Sequence, residues 1–160
     1  MAAMGHAVFE LGLFRMGAEE PGRPPMLPRS WDVPTLLRSI SWLRLQNAQD
    51  RNVFIRPKGE HNLTLVDDLE WDSIVRMKRE GFQPALVVET SPANFQAWLK
   101  HPEQLPQDVG TAAARALAVE FGGDKGAADW RHFGRLAGFT NRKPKYCNAD
   151  GLHPYVRLIE

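Results

Sequence analysis

The chain is short of several things, and each shortage closes a possibility. It has one cysteine, Cys147, so no internal disulfide and no cysteine-based zinc site can form. No run of 18 apolar residues occurs, and the N-terminus lacks the cationic start and long apolar core of a signal peptide. Membrane insertion and secretion are therefore not expected, and a reducing cytoplasmic setting suits a chain without disulfides. Charge of one sign is also missing: 20 Lys and Arg stand against 19 Asp and Glu, a formal net charge of +1. That balance excludes a generally basic nucleic-acid coat, though not a basic groove. The five histidines, His6, His61, His101, His132 and His153, are scattered with no H-x-H. There is no internal repeat and no low-complexity tract.

What is present is uneven. Arg131 to Lys145, R-H-F-G-R-L-A-G-F-T-N-R-K-P-K, carries five cations (Arg131, Arg135, Arg142, Lys143, Lys145) and no acid. A local positive field in a neutral chain points to a polyanionic partner at one place. Gly134, Gly138 and Pro144 break any long helix there, which sets the cations on a shaped loop. The aromatic and aliphatic residues between them are open to a core role. Upstream, L-T-L-V-D-D-L ends an apolar run in Asp67 and Asp68. Carboxylates at a strand end bind hard divalent cations, and such cations beside basic groups are what phosphoryl transfer needs.

At 160 residues the chain is read as one domain, 1–160, large enough to bury a core. Ala7 to Phe14 reads as a first strand, and the Pro- and Gly-rich Gly17 to Pro28 as an exposed, mobile loop. A helix is expected from Asp32-Val33-Pro34, with Leu36, Leu37, Ile40 and Leu43 on its apolar face. Val53–Ile55 and Leu63–Val66 read as strands joined at Pro57-Lys58-Gly59. A second helix is expected over Leu69 to Glu80, with Trp71, Ile74, Val75 and Lys78 on one face and Gly81 as its stop. Ala85 to Thr90 is the most hydrophobic strand and is expected inside the sheet. Ala93–Lys100 and Gln107–Phe121 read as helices, the latter ended by Gly122-Gly123, and Tyr155–Ile159 as an edge strand. The alternation of strands and helices argues α/β or α+β.

Adjacent aspartates in a regular strand face opposite sides. Asp67 and Asp68 can therefore share a metal only if the backbone turns there; otherwise one of them caps the following helix. Asp124 after its glycine pair, and Asp129, are further carboxylates that could equally be turn or cap residues. Thr90, Ser91, Asn94 and Gln96, where a strand hands over to a helix N-terminus, could cradle phosphate, or the hydroxyls could simply cap that helix.

These motifs resemble those of RepB-like plasmid primases, within the archaeo-eukaryotic primase superfamily. The resemblance lies in their order: V-D-D-L, V-V-E-T-S-P-A-N-F-Q-A-W, F-G-G-D-K-G-A-A-D, then R-L-A-G-F-T-N-R-K-P-K, preceded by W-L-R-L-Q-N-A-Q-D-R-N-V-F-I-R-P. It covers about Trp31 to Lys145. It implies an α+β fold, an RRM-like antiparallel sheet with packed helices plus an additional α/β unit, housing a two-metal nucleotidyl-transfer site. Asp67, Asp68 and Asp124 would hold Mg²⁺ or Mn²⁺, with Asp129 in reserve. Arg135, Asn141, Arg142, Lys143 and Lys145 would hold triphosphate or template, joined by Ser91, Asn94, Gln96 and Arg56. Where many superfamily members carry Ser-x-His, this chain reads Asn94-Phe95-Gln96, an amide that cannot bear positive charge. Phe139 or Tyr146 would stack a template base. The implied partners are single-stranded DNA, nucleoside triphosphates, and a replicative helicase or relaxase. A single-strand-binding module without metals is the rival reading. A nicking relaxase is disfavoured by the scattered histidines.

Overall fold

The computed structural model describes residues 1–15 and 26–160. Two four-stranded sheets, every strand pair antiparallel, form the frame of an α+β fold. The first sheet has the order β2-β1-β3-β7, from β1 (Val8–Arg15), β2 (Met26–Asp32), β3 (Arg51–Pro57) and β7 (Gly134–Arg135). The second has the order β4-β6-β5-β8, from β4 (Leu63–Leu69), β5 (Pro84–Ser91), β6 (Asn94–Lys100) and β8 (Arg157–Leu158).

The second sheet is covered on both faces. Leu63, Leu65, Leu86, Val88 and Trp98 point into one core with Phe9, Leu11, Leu13, Val53 and Ile55 of the first sheet. Leu36 of α1 (Val33–Arg38) and Leu43 of α2 (Ile40–Ala48) close the same core. The alternate residues Val66, Val87, Phe95, Ala97 and Leu99 face a second core. There they meet Ile74 and Met77 of α3 (Trp71–Arg79) with Leu117 and Phe121 of α4 (Gln107–Phe121). Period-2 alternation thus serves two cores and never shows a polar face.

Several expectations change on this frame. Ala93–Lys100 is not a helix: Asn94–Lys100 is β6, returning from β5 through the two residues Pro92 and Ala93, the latter at φ 60°. Of the expected loop, Met26–Pro28 belongs to β2, with Pro28 opposite Gly12 on an edge strand where a missing N–H costs nothing. The remainder, 17–25, lies outside the described residues. Asp32 caps α1 by accepting from the Thr35 N–H at 2.8 Å, as its sequence context suggested. Leu37, Trp71 and Val75 are exposed, so α3 buries only Ile74 and Met77. Gln107–Phe121 is helical as expected, ended by Gly122 at φ 75°.

Candidate functional site

The ladder between β4 and β6 is regular as far as Val66, opposite Ala97, and resumes with Leu69 opposite Phe95. Between them, Asp67 and Asp68 stand against the single residue Gln96. This is a β-bulge, the device by which a strand re-aims side chains without ending. Asp68 takes φ 56°, a left-handed conformation that aspartate tolerates better than most residues. Its N–H bonds back to Asp67 Oδ1 at 2.9 Å, and its Oδ1 accepts from Asn94 Nδ2 at 2.9 Å. Neither aspartate caps α3, whose N-cap is Glu70.

Gln96 fixes what lies behind the bulge. It is fully buried, donates from Nε2 to the Arg135 carbonyl at 2.9 Å, and accepts the Arg135 N–H on Oε1 at 2.9 Å. One side chain thus ties β6 to β7, and so one sheet to the other. Gly134 permits this approach: a Cβ there would come within 2.8 Å of the Trp98 ring and 3.0 Å of Gln96 Nε2. Gln96 is therefore a join in the core and not the phosphate contact expected of it.

Arg135 is held next to the carboxylates. Its guanidinium donates to Asn52 Oδ1 at 2.6 Å and lies over the Phe54 ring, 4.8 Å from its centre. Burial lowers its pKa to about 10, against the opposing pull of Asp67, Tyr146 and Asp68. Burial raises the pKa of Asp67, assisted by the charge of Asp68 and opposed by the Asp68 N–H, His132 and Arg135. Two carboxylates and a desolvated arginine therefore share one pocket of field. Tyr146 closes the group: its phenol pKa is lowered by hydrogen bonding to Ser91, then by Lys145 and the charge of Lys143.

The other expected residues are distributed as follows. Asn141 is buried, donating to the Thr90 carbonyl at 2.7 Å and accepting the Lys143 N–H at 3.2 Å. Ser91 is buried as well, and no helix N-terminus follows it, so the expected phosphate cradle is instead a hairpin turn. Asp124 reaches Asp67 by main chain, its N–H on the Asp67 carbonyl at 2.9 Å, while its carboxylate accepts from the Gly126 N–H at 2.8 Å. Asp129 likewise accepts from the Arg131 N–H at 2.8 Å. Arg56 pairs with Glu10 at 2.5 Å and stacks on Phe133, lining a cavity with Asp129, Arg131 and His132. Arg142 pairs with Asp50. Phe139 is core and unavailable for stacking.

Among the described residues no three of His, Cys, Asp or Glu gather on a common metal position. Mg²⁺ characteristically takes one or two protein carboxylates, leaving its other positions to water and substrate phosphate, so the donor pair Asp67 and Asp68 fits such an ion. Two contributors were not singled out in the sequence. His132 lay inside the basic segment but among histidines with no metal spacing. Asn52, one of three polar residues (Asp50, Arg51, Asn52) before an apolar run, left no signal that could have found it. Among the described residues no helix is long and apolar enough to cross a membrane.

The chain matches the family described as RepB DNA-primase N-terminal domain over residues 38–160. It is 42% identical over 164 residues to Mobilization protein A of Escherichia coli, covering 100% of this chain and 23% of that protein. It is 37% identical over 130 residues to a DNA primase of Acidithiobacillus ferrooxidans, 77% of this chain and 36% of that one. The chain thus spans well under half the length of either. Among solved structures, the catalytic domain of primase RepB′ in complex with initiator DNA superposes with a TM-score of 0.88. The identity is 42%, over 99% of this chain and 79% of that one. The AEP domain of the cyanophage S-2L primase-polymerase superposes at 0.68 with 12% identity, over 99% of this chain and 85% of that one, a likeness of fold alone.

Proposed function

The chain belongs to the RepB DNA-primase N-terminal domain family, and on that premise we propose that it is a nucleotide-joining core that makes short primers on single-stranded DNA. One observation carries the reading: the bulge that sets Asp67 and Asp68 together against one partner residue, near the desolvated Arg135. Asp67 and Asp68 are the residues that would hold Mg²⁺ or Mn²⁺; Asp124 is tied to Asp67 by main chain, with its carboxylate on the Gly126 N–H. A divalent ion so held supplies charge stabilisation to the attacking 3′-oxygen and the departing pyrophosphate.

The chain's own groups do the rest. Arg135, fixed by Asn52 and Phe54, offers a rigid fork to a triphosphate oxygen without having to be ordered on binding. Lys143 and Lys145, grouped at Tyr146, add compact positive charge for triphosphate or strand. Asn94 holds the Asp68 carboxylate in place. In replication or conjugative mobilisation of a plasmid, a helicase or relaxase would expose the strand that this core copies.

A single-strand-binding module without catalysis is the second reading, favoured by the lack of a three-ligand metal cluster among the described residues. The test is synthesis from labelled ribo- and deoxynucleotides on single-stranded DNA with Mg²⁺ or Mn²⁺, wild type against Asp67→Asn/Asp68→Asn. Metal-dependent oligonucleotides that vanish in the variant support the primase. A folded wild type that binds the strand and makes nothing supports the module.

A further inference from the structure

The segment Gly138–Lys143 is a partition with different chemistry on its two sides. Asn141 points to the Thr90 carbonyl at the β5–β6 turn, whose Asn94 holds Asp68. Thr140 and Arg142 look the other way, into a cleft of about 530 Å³ that shares no lining residue with the carboxylate centre. Arg44 and Ala48 of α2 form one wall. Gly138, Thr140, Arg142 and Tyr155 form the other. The floor is stiff: Asn47 donates to the carbonyls of Arg51 and Thr140, and accepts the Thr140 N–H and hydroxyl.

Three features of this cleft suit a nucleic-acid strand. No acid among the described residues pairs with the exposed Arg44. Arg142 is aimed by Asp50, whose carboxyl that hydrogen bond holds below its usual range; among the described residues Nη1 of the guanidinium has no partner. Tyr155 bridges Thr140 by main chain, yet the residue is 66% exposed, a large aromatic open to solvent. Two arginines and an open ring along one polar cleft provide phosphate contacts and a stacking platform, the combination that binds single strands without reading sequence.

We infer that this cleft is a second nucleic-acid subsite, in which Arg44 and Arg142 take successive phosphates of single-stranded DNA and Tyr155 stacks one base. The inference rests on the primase reading only for the strand's role as template. Its place behind the partition makes it a grip on the strand away from the reacting nucleotides.

The probe is a fluorescein-labelled oligodeoxythymidylate, measured by anisotropy with the whole chain over a range of salt. Arg44→Ala is expected to weaken binding and to lower the slope of log K against log salt by about 0.7. Tyr155→Ala is expected to weaken binding at least about fivefold, while Tyr155→Phe keeps the ring and the affinity. Both side chains are exposed, so thermal unfolding midpoints should match wild type and separate a lost contact from a lost fold. Wild-type affinity in Arg44→Ala and Tyr155→Ala overturns the subsite. So does an equal loss of affinity for thymidine triphosphate alone, which would make the cleft a mononucleotide pocket. Primer synthesis is assayed in parallel. Product formed by all variants with unchanged strand binding removes the subsite and keeps the primase. No product from wild type, with binding still dependent on Arg44 and Tyr155, removes the primase and keeps the subsite.

Discussion

A single oxygen, Asn52 Oδ1, accepts from Arg135 Nη1 at 2.6 Å and from the Arg142 N–H at 2.8 Å, while Asn52 Nδ2 is buried without a partner. Asn52 is fully buried, so water cannot replace it. Asn52→Ala would leave a buried guanidinium donor and a backbone N–H unpaired, at a cost of about 2–3 kcal/mol. Chemical denaturation should show a lower midpoint at unchanged slope. The variant should also raise KM for nucleotide more than it lowers kcat, because Arg135 would have to be ordered on binding.

Asp67 gives the molecule a pH signature. Its folded pKa is raised above the ordinary aspartate range, chiefly by burial. The folded state therefore favours the protonated form, so the group supports the fold below its unfolded pKa and loses that support as pH rises through the folded pKa. Asp67→Asn keeps an acceptor for the Asp68 N–H and removes the charge. It should be more stable than wild type at pH 7, with the difference closing as pH falls below about 4. Melting curves across pH 3 to 8 measure this. Mn²⁺ should raise the melting temperature of wild type at pH 7 and leave that of Asp67→Asn unmoved.

Gln96 ties the two sheets by two buried bonds to one residue. Gln96→Leu is expected to lose about 2–4 kcal/mol, since the Arg135 N–H and carbonyl would both lose their partner. Gly134→Ala should act on the same join from the other side, at about 1–3 kcal/mol, because its Cβ would press on the Trp98 ring. Urea unfolding of each variant and of the pair should show losses well short of additive.

The neighbouring glycines Gly122 and Gly123 are expected to behave differently. Gly122 has φ 75° and open space, so Gly122→Ala should cost about 1 kcal/mol of stability and leave the site in place. A Cβ on Gly123 would come within 2.8 Å of both the Asp67 carbonyl and Val66 Cγ1. Gly123→Ala should therefore push the Asp124 segment off the bulge and depress primer synthesis at least about tenfold, a barrier change of roughly 1.4 kcal/mol. Paired assays of melting and synthesis separate the two.

Much of this architecture was legible where one signal dominated. The α4 helix shows an apolar stripe and a terminal glycine, and the structure gives it the same ends. β6 was hidden because Phe95, Ala97 and Leu99 serve one core while Gln96 and Trp98 serve the join and the other, so no polar alternation marks a strand. Proline punctuation concealed β2, whose place on the sheet edge makes Pro28 harmless. At the site, the residue types Asp67, Asp68 and Arg135 were readable from chemistry. Their grouping was not, because it depends on a bulge and on the remote Asn52. The basic segment read as one clamp, yet its cations part company: Arg135 and Lys143 go to one side, Arg142 to the other.

Val66 and Leu69 both face the helices although three positions separate them, where an unbroken pleat would need two. A chain with one aspartate deleted would set that leucine opposite Phe95 at the even spacing and keep every apolar side chain on its present side. Packing gives no reason for the additional residue. The sheet could be built without it, and it is the proposed metal pair that would require the longer β4.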